Sequence, residues 1–427
     1  MRVLRFFAHI LFGLVFLVSG WLKILDPMGT GLIVSAYFNA AHLGFLSVIS
    51  IPVGVGLSVL ELLLGISVLT GIQLRRMASV VFILMLFFTG LSLVLYIFDP
   101  IPDCGCFGEA FTLANAQTFW KNVVLLLAAF VIFLHRKRYR ILAPAVAEWS
   151  FLGFYLLLAL TVSIAALIWT SWVDYGVFRP GTSVLERMEA ARQHQPTYQT
   201  VFVYEKDGQQ QEFALDQLPD STWTFVDSQT RQLGTARPLF DFPLTDRWGN
   251  YQAKALLSEN DVLFTAVLYR PQSKGVGYWE KLAALRKDVL QKGGDLYVLL
   301  AGTQQQAEEL SIRYGIPSDH FLFSDYKTLI SLSRSNGGIV YWHEAVVVKK
   351  WSDQRIATLW MNLQELLEED AEIIAASGGI TQQLICEGII LITFLSLVLM
   401  RYICGILYDD RRRYKYLRRL ATRRIGN

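Results

Sequence analysis

Cys104 and Cys106 are the side chains in this sequence whose type and spacing best suit chemistry. A C-x-C pair can close a small, strained disulfide ring, and strain makes a disulfide easier to reduce. Gly105 and Gly108 allow the tight backbone that such a loop requires. The spacing predicts a thiol–disulfide couple that exchanges with another thiol, although a permanently closed loop disulfide and a pair of reduced, buried thiols fit it too.

The residues around the two cysteines bear on whether the pair could bind a metal or form a reactive thiolate. Two cysteines leave half of a zinc ligand set missing, and the nearest candidates, His42 and Asp103, are not at ligand spacing, so no metal site is predicted. An attacking thiol must be a thiolate. No basic residue lies in the loop, and the carboxylate of Asp103 would disfavour a thiolate beside it, which weighs against the redox interpretation.

Glu61 is an acidic residue inside an apolar run, Leu60–Gly65. A carboxylate at that depth of a membrane helix is costly and should face the helix bundle or a wet cavity. It is predicted either to be a proton or ligand group or to be held by a partner that sets helix packing. Its depth argues against a direct pair with Lys23, which we expect to pair with Asp26 or to cap the loop.

Several other polar or sulfur-containing residues are weaker candidates. Asn122 is a buried polar group one turn into a predicted membrane helix, where a single Asn usually links helices. Cys386 and Cys404 fall near the two ends of the last apolar segment and read as small apolar fillers, with Cys386 a minor candidate for a relay with the C-x-C pair. His320 and His343 are single histidines, which are more often solvated than ligands.

The apolar composition places these residues in a membrane protein. Apolar residues make up 53% of the 427 residues and charged residues only 18%, with a mean hydropathy of +0.37. These values exclude a disordered chain and are too apolar for an ordinary soluble protein. Six stretches reach the roughly 20 residues that a span requires, approximately Phe6–Leu25, Ile51–Gly71, Met77–Ile97, Phe119–Leu134, Trp149–Val173 and Leu384–Leu407.

The orientation follows from the basic residues near the spans. Sixteen Lys and Arg fall on one side, eight of them between Arg411 and Arg424, and the opposite short loops, residues 26–50 and 98–118, hold none. Lys23 and Lys121 lie at the outer ends of spans and can snorkel outward. The count predicts cytoplasmic termini, a bacterial inner-membrane location and a periplasmic segment 174–378. The N-terminal run reads as a retained span rather than a cleaved signal peptide.

The chain divides into six predicted units. They are a four-helix membrane bundle (1–140), a fifth span (141–173), a small β-rich segment (174–237), an α/β domain (238–378), a sixth span (379–408) and a basic cytoplasmic tail (409–427). In the β-rich segment, alternating residues predict a hairpin of Thr200–Glu205 with Gln211–Leu215 and a strand at Thr222–Val226. The tail is expected to contact anionic lipids.

The α/β domain shows the element order β-α-β-α-β-β-α, with two consecutive helices at the fourth place, which predicts a mixed sheet covered by helices. Its predicted elements are Val262–Leu268, Tyr278–Gln291, Leu296–Leu300, Gln304–Tyr314, Tyr326–Ser333, Ile339–Trp342, Ala345–Lys349 and Ile356–Leu367. This is the order of a thioredoxin-like fold, in which the reactive C-x-x-C follows the first core strand. Here that position, Tyr269–Gly275, has no cysteine, and Asn336-Gly337-Gly338 replaces the proline before the third strand. The domain is therefore predicted to bind a partner rather than to exchange thiols.

Residues 1–135 resemble the DoxX/MauE superfamily of four-helix membrane proteins. The resemblance rests on Ser19-Gly20-Trp21-Leu22-Lys23-Ile24-Leu25-Asp26-Pro27, on Glu61-Leu62-Leu63-Leu64-Gly65 and on Cys104-Gly105-Cys106-Phe107-Gly108. The whole architecture is similar to a Bacteroidetes-type DoxX family with a thioredoxin-like region after the bundle. The MauE branch is linked to methylamine utilisation and is thought to act with a thioredoxin-like partner in disulfide formation or maturation of a periplasmic protein.

Two functions remain as hypotheses. In the first, Cys104 and Cys106 take electrons from an extracytoplasmic dithiol, a periplasmic thiol protein, and pass them to a lipid-soluble acceptor such as a quinone, with Glu61 near the proton path. In the second, the protein is a non-enzymatic membrane anchor whose cysteine-free domain recruits a periplasmic partner. A transporter is a weaker alternative, since no pair of broken helices is visible. The net charge of +3 gives no argument for a nucleic-acid partner, and the sequence leaves the oligomeric state open.

Overall fold

The structure is a computed structural model of the full chain. It describes residues 2–99, 101, 105–109, 113–139, 145–168, 172–193, 197–206, 209–214, 223–233 and 240–425. Cys104 and Asp103 lie outside these described residues.

Helices dominate the first part of the chain. In order, the elements are α1 (Arg2–Leu25), α2 (Pro27–Ala40), α3 (Ser50–Thr70), α4 (Leu74–Phe98), β1 (Cys106–Glu109), α5 (Asn115–Leu134), α6 (Ala145–Ile168) and α7 (Val184–Gln193). By length and composition, α1, α3, α4, α5 and α6 can each cross a membrane, and a later helix provides a sixth candidate. The six predicted spans are therefore confirmed as six long apolar helices, and the protein is a multi-pass membrane protein.

Helix α2 lies in a segment that was expected to be a loop. Asp26 caps its start by accepting a hydrogen bond from the Gly29 N–H (3.0 Å), and Pro27 occupies the first turn. Both residues are typical of a helix start, because proline has no N–H to leave unpaired there. The sequence pattern does not reveal this helix, because it is too short for a span and its apolar residues lack a clear one-sided arrangement.

A three-stranded antiparallel sheet follows α7. Its strands are β2 (Thr197–Lys206), β3 (Gln209–Ala214) and β4 (Thr224–Leu233), in the order β3-β2-β4. Val203 pairs with Glu212 in the first hairpin. The predicted hairpin and third strand are confirmed in the described residues, whereas Leu215 and Thr222 lie outside them.

The second sheet has five strands. The remaining elements are α8 (Ala253–Glu259), β5 (Val262–Leu268), α9 (Val276–Gln291), β6 (Asp295–Leu300), α10 (Gln304–Tyr314), β7 (Phe321–Phe323), α11 (Tyr326–Leu332), β8 (Gly338–His343), β9 (Val346–Trp351), α12 (Ile356–Met361), α13 (Leu363–Glu368) and α14 (Ala371–Ile425). The strand order is β7-β6-β5-β8-β9. Strands β5, β6 and β7 are parallel, and β8 and β9 are each antiparallel to their neighbours. We call residues 240–370 the sheet region; its assignment to the thioredoxin-like fold stays a prediction.

Both faces of this sheet are buried. Along β5, Phe264 and Ala266 belong to one apolar cluster, while Leu263 and Val267 belong to another on the opposite face. This alternation is the two-residue period of a strand. The first cluster also contains Ile374 and Ala375, so the first turns of α14 pack against the sheet. That packing explains why α14 starts at Ala371 rather than at the predicted Leu384.

The sheet region is attached to the end of the bundle at which α1 stops. Arg334 Nη2 lies 2.9 Å from Asp26 Oδ2, and both side chains are buried. Met28 and Leu32 of α2 pack against the same apolar cluster as Leu329 of α11. The contacts join a buried ion pair to apolar packing, so α2 acts as the platform on which the sheet region rests.

His320 lies between two aspartates of the sheet region, which change its pKa. Its Nε2 lies 3.2 Å from Asp295 Oδ2 and its Nδ1 lies 3.0 Å from Asp319 Oδ1. Burial alone would lower the pKa of His320, but the hydrogen bonds and charges of the two aspartates outweigh burial and raise the pKa above 6.5.

A raised pKa in the folded state means that protonated His320 stabilises the fold. This contribution is complete below about pH 6.5 and is lost as the pH rises through the folded-state pKa. We expect hydrogen-exchange protection of β6 to fall as the pH rises above about 6.5, and His320→Gln to remove that pH dependence. An unchanged pH dependence in His320→Gln would contradict this assignment; Lys287→Gln, on the exposed face of α9, is the control.

Candidate functional site

The short strand β1 carries Cys106 at its start. Gly105 and Gly108, on either side, both have a φ of +63°, and Gly108 N–H donates to the Gly105 carbonyl (3.0 Å). Residues with a Cβ rarely adopt this conformation, and a Cβ at Gly105 would also lie 2.4 Å from Ile33. The glycines therefore turn the backbone tightly around Cys106, as their positions predicted. Because Cys104 lies outside the described residues, the redox state of the pair stays untested.

Glu61 is buried and lies at the centre of a polar network. Lys23 Nζ donates to its two oxygens at 2.7 and 2.9 Å. The Ser19 hydroxyl donates to Glu61 Oε2 at 2.7 Å and lies equally close to the backbone oxygen of Cys106. Glu61 is thereby connected to the strand that carries Cys106 through a single intervening hydroxyl group.

The direct Lys23–Glu61 pair corrects two expectations. Lys23 neither snorkels away from the bundle nor pairs with Asp26. Helix packing explains the difference. A Cβ on Gly20 would lie 2.7 Å from the Leu62 nitrogen, so these residues are level. Helix α3 starts twelve residues before Leu62, whereas α1 ends only five residues after Gly20. The outer ends of the two helices are therefore not level, and counting residues from those ends placed Glu61 deeper than Lys23.

Asp26 is used elsewhere. Its carboxylate caps α2 through Gly29 and pairs with Arg334 across 308 residues of sequence. A residue so distant in sequence cannot be identified as a partner from local spacing.

A cavity of about 370 Å³ opens beside this network. Its walls are mainly apolar and come from α1, α2, α3, α4 and α5, and the polar side chains Ser19, Lys23, Glu61 and Cys106 lie on it together. The volume is in the range of small-molecule sites, which typically combine apolar walls with a few converging polar groups. The structure thus brings Cys106 and Glu61, two of the three predicted site residues, to one cavity.

Basic groups reach this cavity from the helices. Lys23 and Lys121 both line it, and the Lys121 ammonium lies 4.7 Å from the centre of the Phe107 ring. The cysteine loop itself contains no basic residue, and on that ground its sequence weighed against a thiolate. Lys121 of α5 and the Lys23–Glu61 pair of α1 and α3 instead bring charged groups to the same space.

Asn122 also lines the cavity. Its side-chain amide donates to the Phe88 carbonyl of α4 (3.3 Å). This bond bridges α5 to α4, so the predicted role of Asn122 as a link between helices is confirmed.

Cys386 lies in a neighbouring apolar cluster. It is buried with Leu22, Leu25 and Val173, and Phe107 packs against the same cluster. Cys386 and the residue that follows Cys106 thus share one cluster, and no described contact joins the two sulfur atoms. Cys404 lies further along α14.

In the sheet region, the loop after β5 and the loop before β8 occupy the positions where a thioredoxin-like fold would carry its reactive motif, and hydrogen bonds join these two loops. Arg270 N–H donates to Asn336 Oδ1 (2.9 Å), Asn336 Nδ2 donates to the Arg270 carbonyl (3.0 Å), and Tyr269 donates to the Arg334 carbonyl (3.0 Å). Since Arg334 pairs with Asp26, these loops lie at the contact between sheet region and bundle.

Comparison with known proteins gives two family matches. Residues 1–135, about a third of the chain, match the family model described as methylamine utilisation protein MauE. Residues 198–233, the three-stranded sheet, match a domain of unknown function (DUF8463). No curated protein and no solved structure matches the chain. The first match supports a DoxX/MauE-like membrane family for the helical bundle.

Proposed function

We propose that the bundle is an extracytoplasmic thiol–disulfide redox module that uses Cys104 and Cys106, in the maturation of a periplasmic protein as the MauE match suggests. The observation that carries the proposal is the convergence of Cys106, Glu61, Lys23 and Lys121 on one apolar cavity. An apolar space with charged groups at one side suits a lipid-soluble acceptor with polar carbonyls, for which a quinone is the chemical class.

The proposed reaction balances in two exchanges. First, a dithiol of the partner protein attacks the Cys104–Cys106 disulfide, which becomes two thiols while the partner gains a disulfide. Second, the two thiols return to a disulfide and release two electrons and two protons. A quinone would accept the two electrons and the two protons and would leave as the quinol. Lys121, which lies over the ring of Phe107 next to Cys106 in the chain, is proposed to favour the thiolate that each exchange requires.

Glu61 is proposed as the proton group of the second exchange. The Ser19 hydroxyl has one hydrogen but two acceptors at 2.7 Å, Glu61 Oε2 and the Cys106 carbonyl. A proton on Glu61 Oε2 would satisfy both, because Glu61 could then donate to Ser19 and Ser19 to Cys106. Glu61 Oε2 is therefore the atom that would accept a proton released beside Cys106.

The sheet region is proposed as a thioredoxin-like lobe that presents the partner. The order β6-β5-β8-β9, with β5 and β6 parallel and the last two antiparallel, supports that fold. In such a fold the loops after β5 and before β8 form the reactive edge. Here that edge lacks cysteines and is held near the bundle by Arg334, so a partner dithiol bound nearby would lie close to the strand that carries Cys106.

The test follows the thiols of the full-length protein in liposomes. After reduction and removal of the reductant, decylubiquinone is added, and remaining thiols are labelled with a maleimide that increases the mass. We expect quinone to remove the thiols of Cys104 and Cys106 from labelling, and Cys106→Ser to abolish this change. Cys404→Ser serves as the matched cysteine control and should behave like the unmodified protein.

Two outcomes would count against the proposal. If Cys104 and Cys106 stay in one state with and without quinone, the pair is a static disulfide or a pair of inert thiols. If Cys104→Ser with Cys106→Ser leaves maturation of the partner intact in cells, the anchoring alternative is favoured. That alternative has its own support in the buried Asp26–Arg334 pair, which fixes a cysteine-free domain to the membrane bundle.

A further inference from the structure

A second cavity lies where the sheet region meets α14 and shares no lining residue with the cavity in the bundle. It measures about 450 Å³ and is lined by β9, the Arg334 loop, the segment that follows α6 and the second and third turns of α14. We call it the basic crevice. In contrast to the cavity in the bundle, its lining is rich in polar and charged groups.

The charges in the basic crevice are unequal. Its charged lining residues are one acid, Asp174, and four bases: Arg334, Lys349, Lys350 and Arg355. Lys350 pairs with Asp174 (2.6 Å), and Arg334 pairs with Asp26. Lys349 and Arg355 are exposed, and in the described part of the chain no carboxylate lies within ion-pair distance of either. The crevice therefore retains positive charge after its own acid is neutralised.

The pKa of Asp174 is consistent with the positive charge of the crevice. Burial alone would raise the pKa of Asp174, but the charges of Lys350 and Arg334 and a hydrogen bond from Lys350 lower it. The Asp174 N–H also donates to Gln382 Oε1 (3.0 Å), which fixes the acid to α14. The carboxylate is thus held rigidly at the side of the crevice, and Ser377 and Thr381 line the side formed by α14.

The position of the crevice along α14 indicates where its ligand would come from. Ser377, Thr381 and Gln382 immediately precede the strongly apolar part of the helix, which begins at Leu384. Polar residues at this point of a membrane helix lie at the level of lipid headgroups. Basic residues at that level attract anionic lipids, whereas zwitterionic lipids carry no net charge.

We propose that the basic crevice binds a phosphate group, and that its place at the membrane surface makes an anionic phospholipid headgroup the source. Lys349 and Arg355 would contact the phosphate oxygens, since an Arg guanidinium suits two such oxygens at once and a Lys ammonium acts as a point charge. Thr381 would donate to the phosphate, and Ser377, whose hydroxyl donates to the Ile374 carbonyl (3.0 Å), would accept from a glycerol hydroxyl of the headgroup. A bound lipid would join α14 to β9 and strengthen the attachment of the sheet region.

The test uses native mass spectrometry of the full-length protein released from nanodiscs of phosphatidylcholine that contain phosphatidylglycerol as the minority, anionic lipid. We expect one phosphatidylglycerol to be retained, and Lys349→Ala with Arg355→Ala to reduce its retention at least fivefold. The control is Lys287→Ala with Lys292→Ala, which removes the same charge from the exposed end of α9 and should retain the lipid. Circular dichroism of each variant establishes that it is folded.

Two results would overturn the inference. Equal lipid retention in the crevice variant and the control variant would remove the site itself. Inorganic phosphate at about 1 mM, on the order of a weak-site Kd, is the competitor in the second experiment. If phosphate displaces the lipid and the protein shows no preference for phosphatidylglycerol, a lipid headgroup is not the source of the phosphate. Lipid that is retained in the presence of phosphate, and lost only in the crevice variant, supports both parts of the proposal.

Discussion

Replacement of Glu61 with leucine is expected to destabilise the bundle by about 3–5 kcal/mol, the usual cost of leaving one charge of a buried ion pair without its partner. Lys23 and Glu61 are each less than a tenth exposed, and the lysine donates to both carboxylate oxygens. Without the carboxylate, the ammonium group is buried among apolar helices. The free energy of unfolding in detergent, followed by circular dichroism, measures the loss.

A double variant separates stability from chemistry. Lys23→Met with Glu61→Leu removes both charges, and apolar replacement of a buried pair is often neutral or stabilising, so we expect most of the lost stability to return. The quinone-dependent oxidation of Cys104 and Cys106 should not return, because the proposed proton group is still absent. Recovery of both properties would assign Glu61 a purely structural role. Glu280→Leu, at an exposed position of α9, is the control for the acidic residue.

Replacement of Arg334 with alanine is expected to release the sheet region from the bundle. The change leaves the buried Asp26 carboxylate with the Gly29 N–H but without its cation, at a cost again of about 3–5 kcal/mol. That cost is concentrated at the contact between α2 and α11, so the sheet should remain folded while its attachment weakens. Disulfide cross-linking between cysteines placed at Met28 and Leu329 measures the attachment, and its rate should fall by more than tenfold.

The matched control is Arg313→Ala, which removes an exposed arginine of α10 and should leave cross-linking unchanged. Asp26→Asn with Arg334→Gln removes both charges, and it should restore part of the attachment because neither side then buries an isolated ion. If Arg334→Ala cross-links as fast as the unmodified protein, the ion pair contributes nothing to docking and the apolar contacts of Met28 and Leu32 are sufficient.

The two predictions meet at the end of α1. Ser19, Lys23 and Asp26 lie within eight residues, yet each binds a different distant element: β1, α3 and the loop before β8. A partner protein that disturbed the sheet region would therefore act on Asp26, which is three residues from Lys23 in the chain. The hypothesis that the two regions work together can be tested by measuring quinone-dependent oxidation in Arg334→Ala, which should be slower than in Arg313→Ala.

Local pattern determined the six membrane helices and most of the strands of this protein, although it did not reveal α2. The six apolar helices follow from runs of apolar residues, because a membrane span requires about 20 of them in one stretch. The strands β5 and β6 follow from short buried runs, and the tight turn around Cys106 follows from its glycines, since few other residues accept a positive φ. The cysteine spacing and an acid within an apolar run are also enough to single out Cys106 and Glu61.

The partners of those residues were decided only by tertiary structure. Which residue of α1 lies level with Glu61 depends on the close approach of the helices at Gly20 and on how far α3 extends past α1, and no local pattern reports either. The cavity, the lysines that face it and the Asp26–Arg334 pair arise from segments far apart in sequence. Long charged side chains reach across several residues of helix, so their contacts are set by the packed fold and not by their place in the chain.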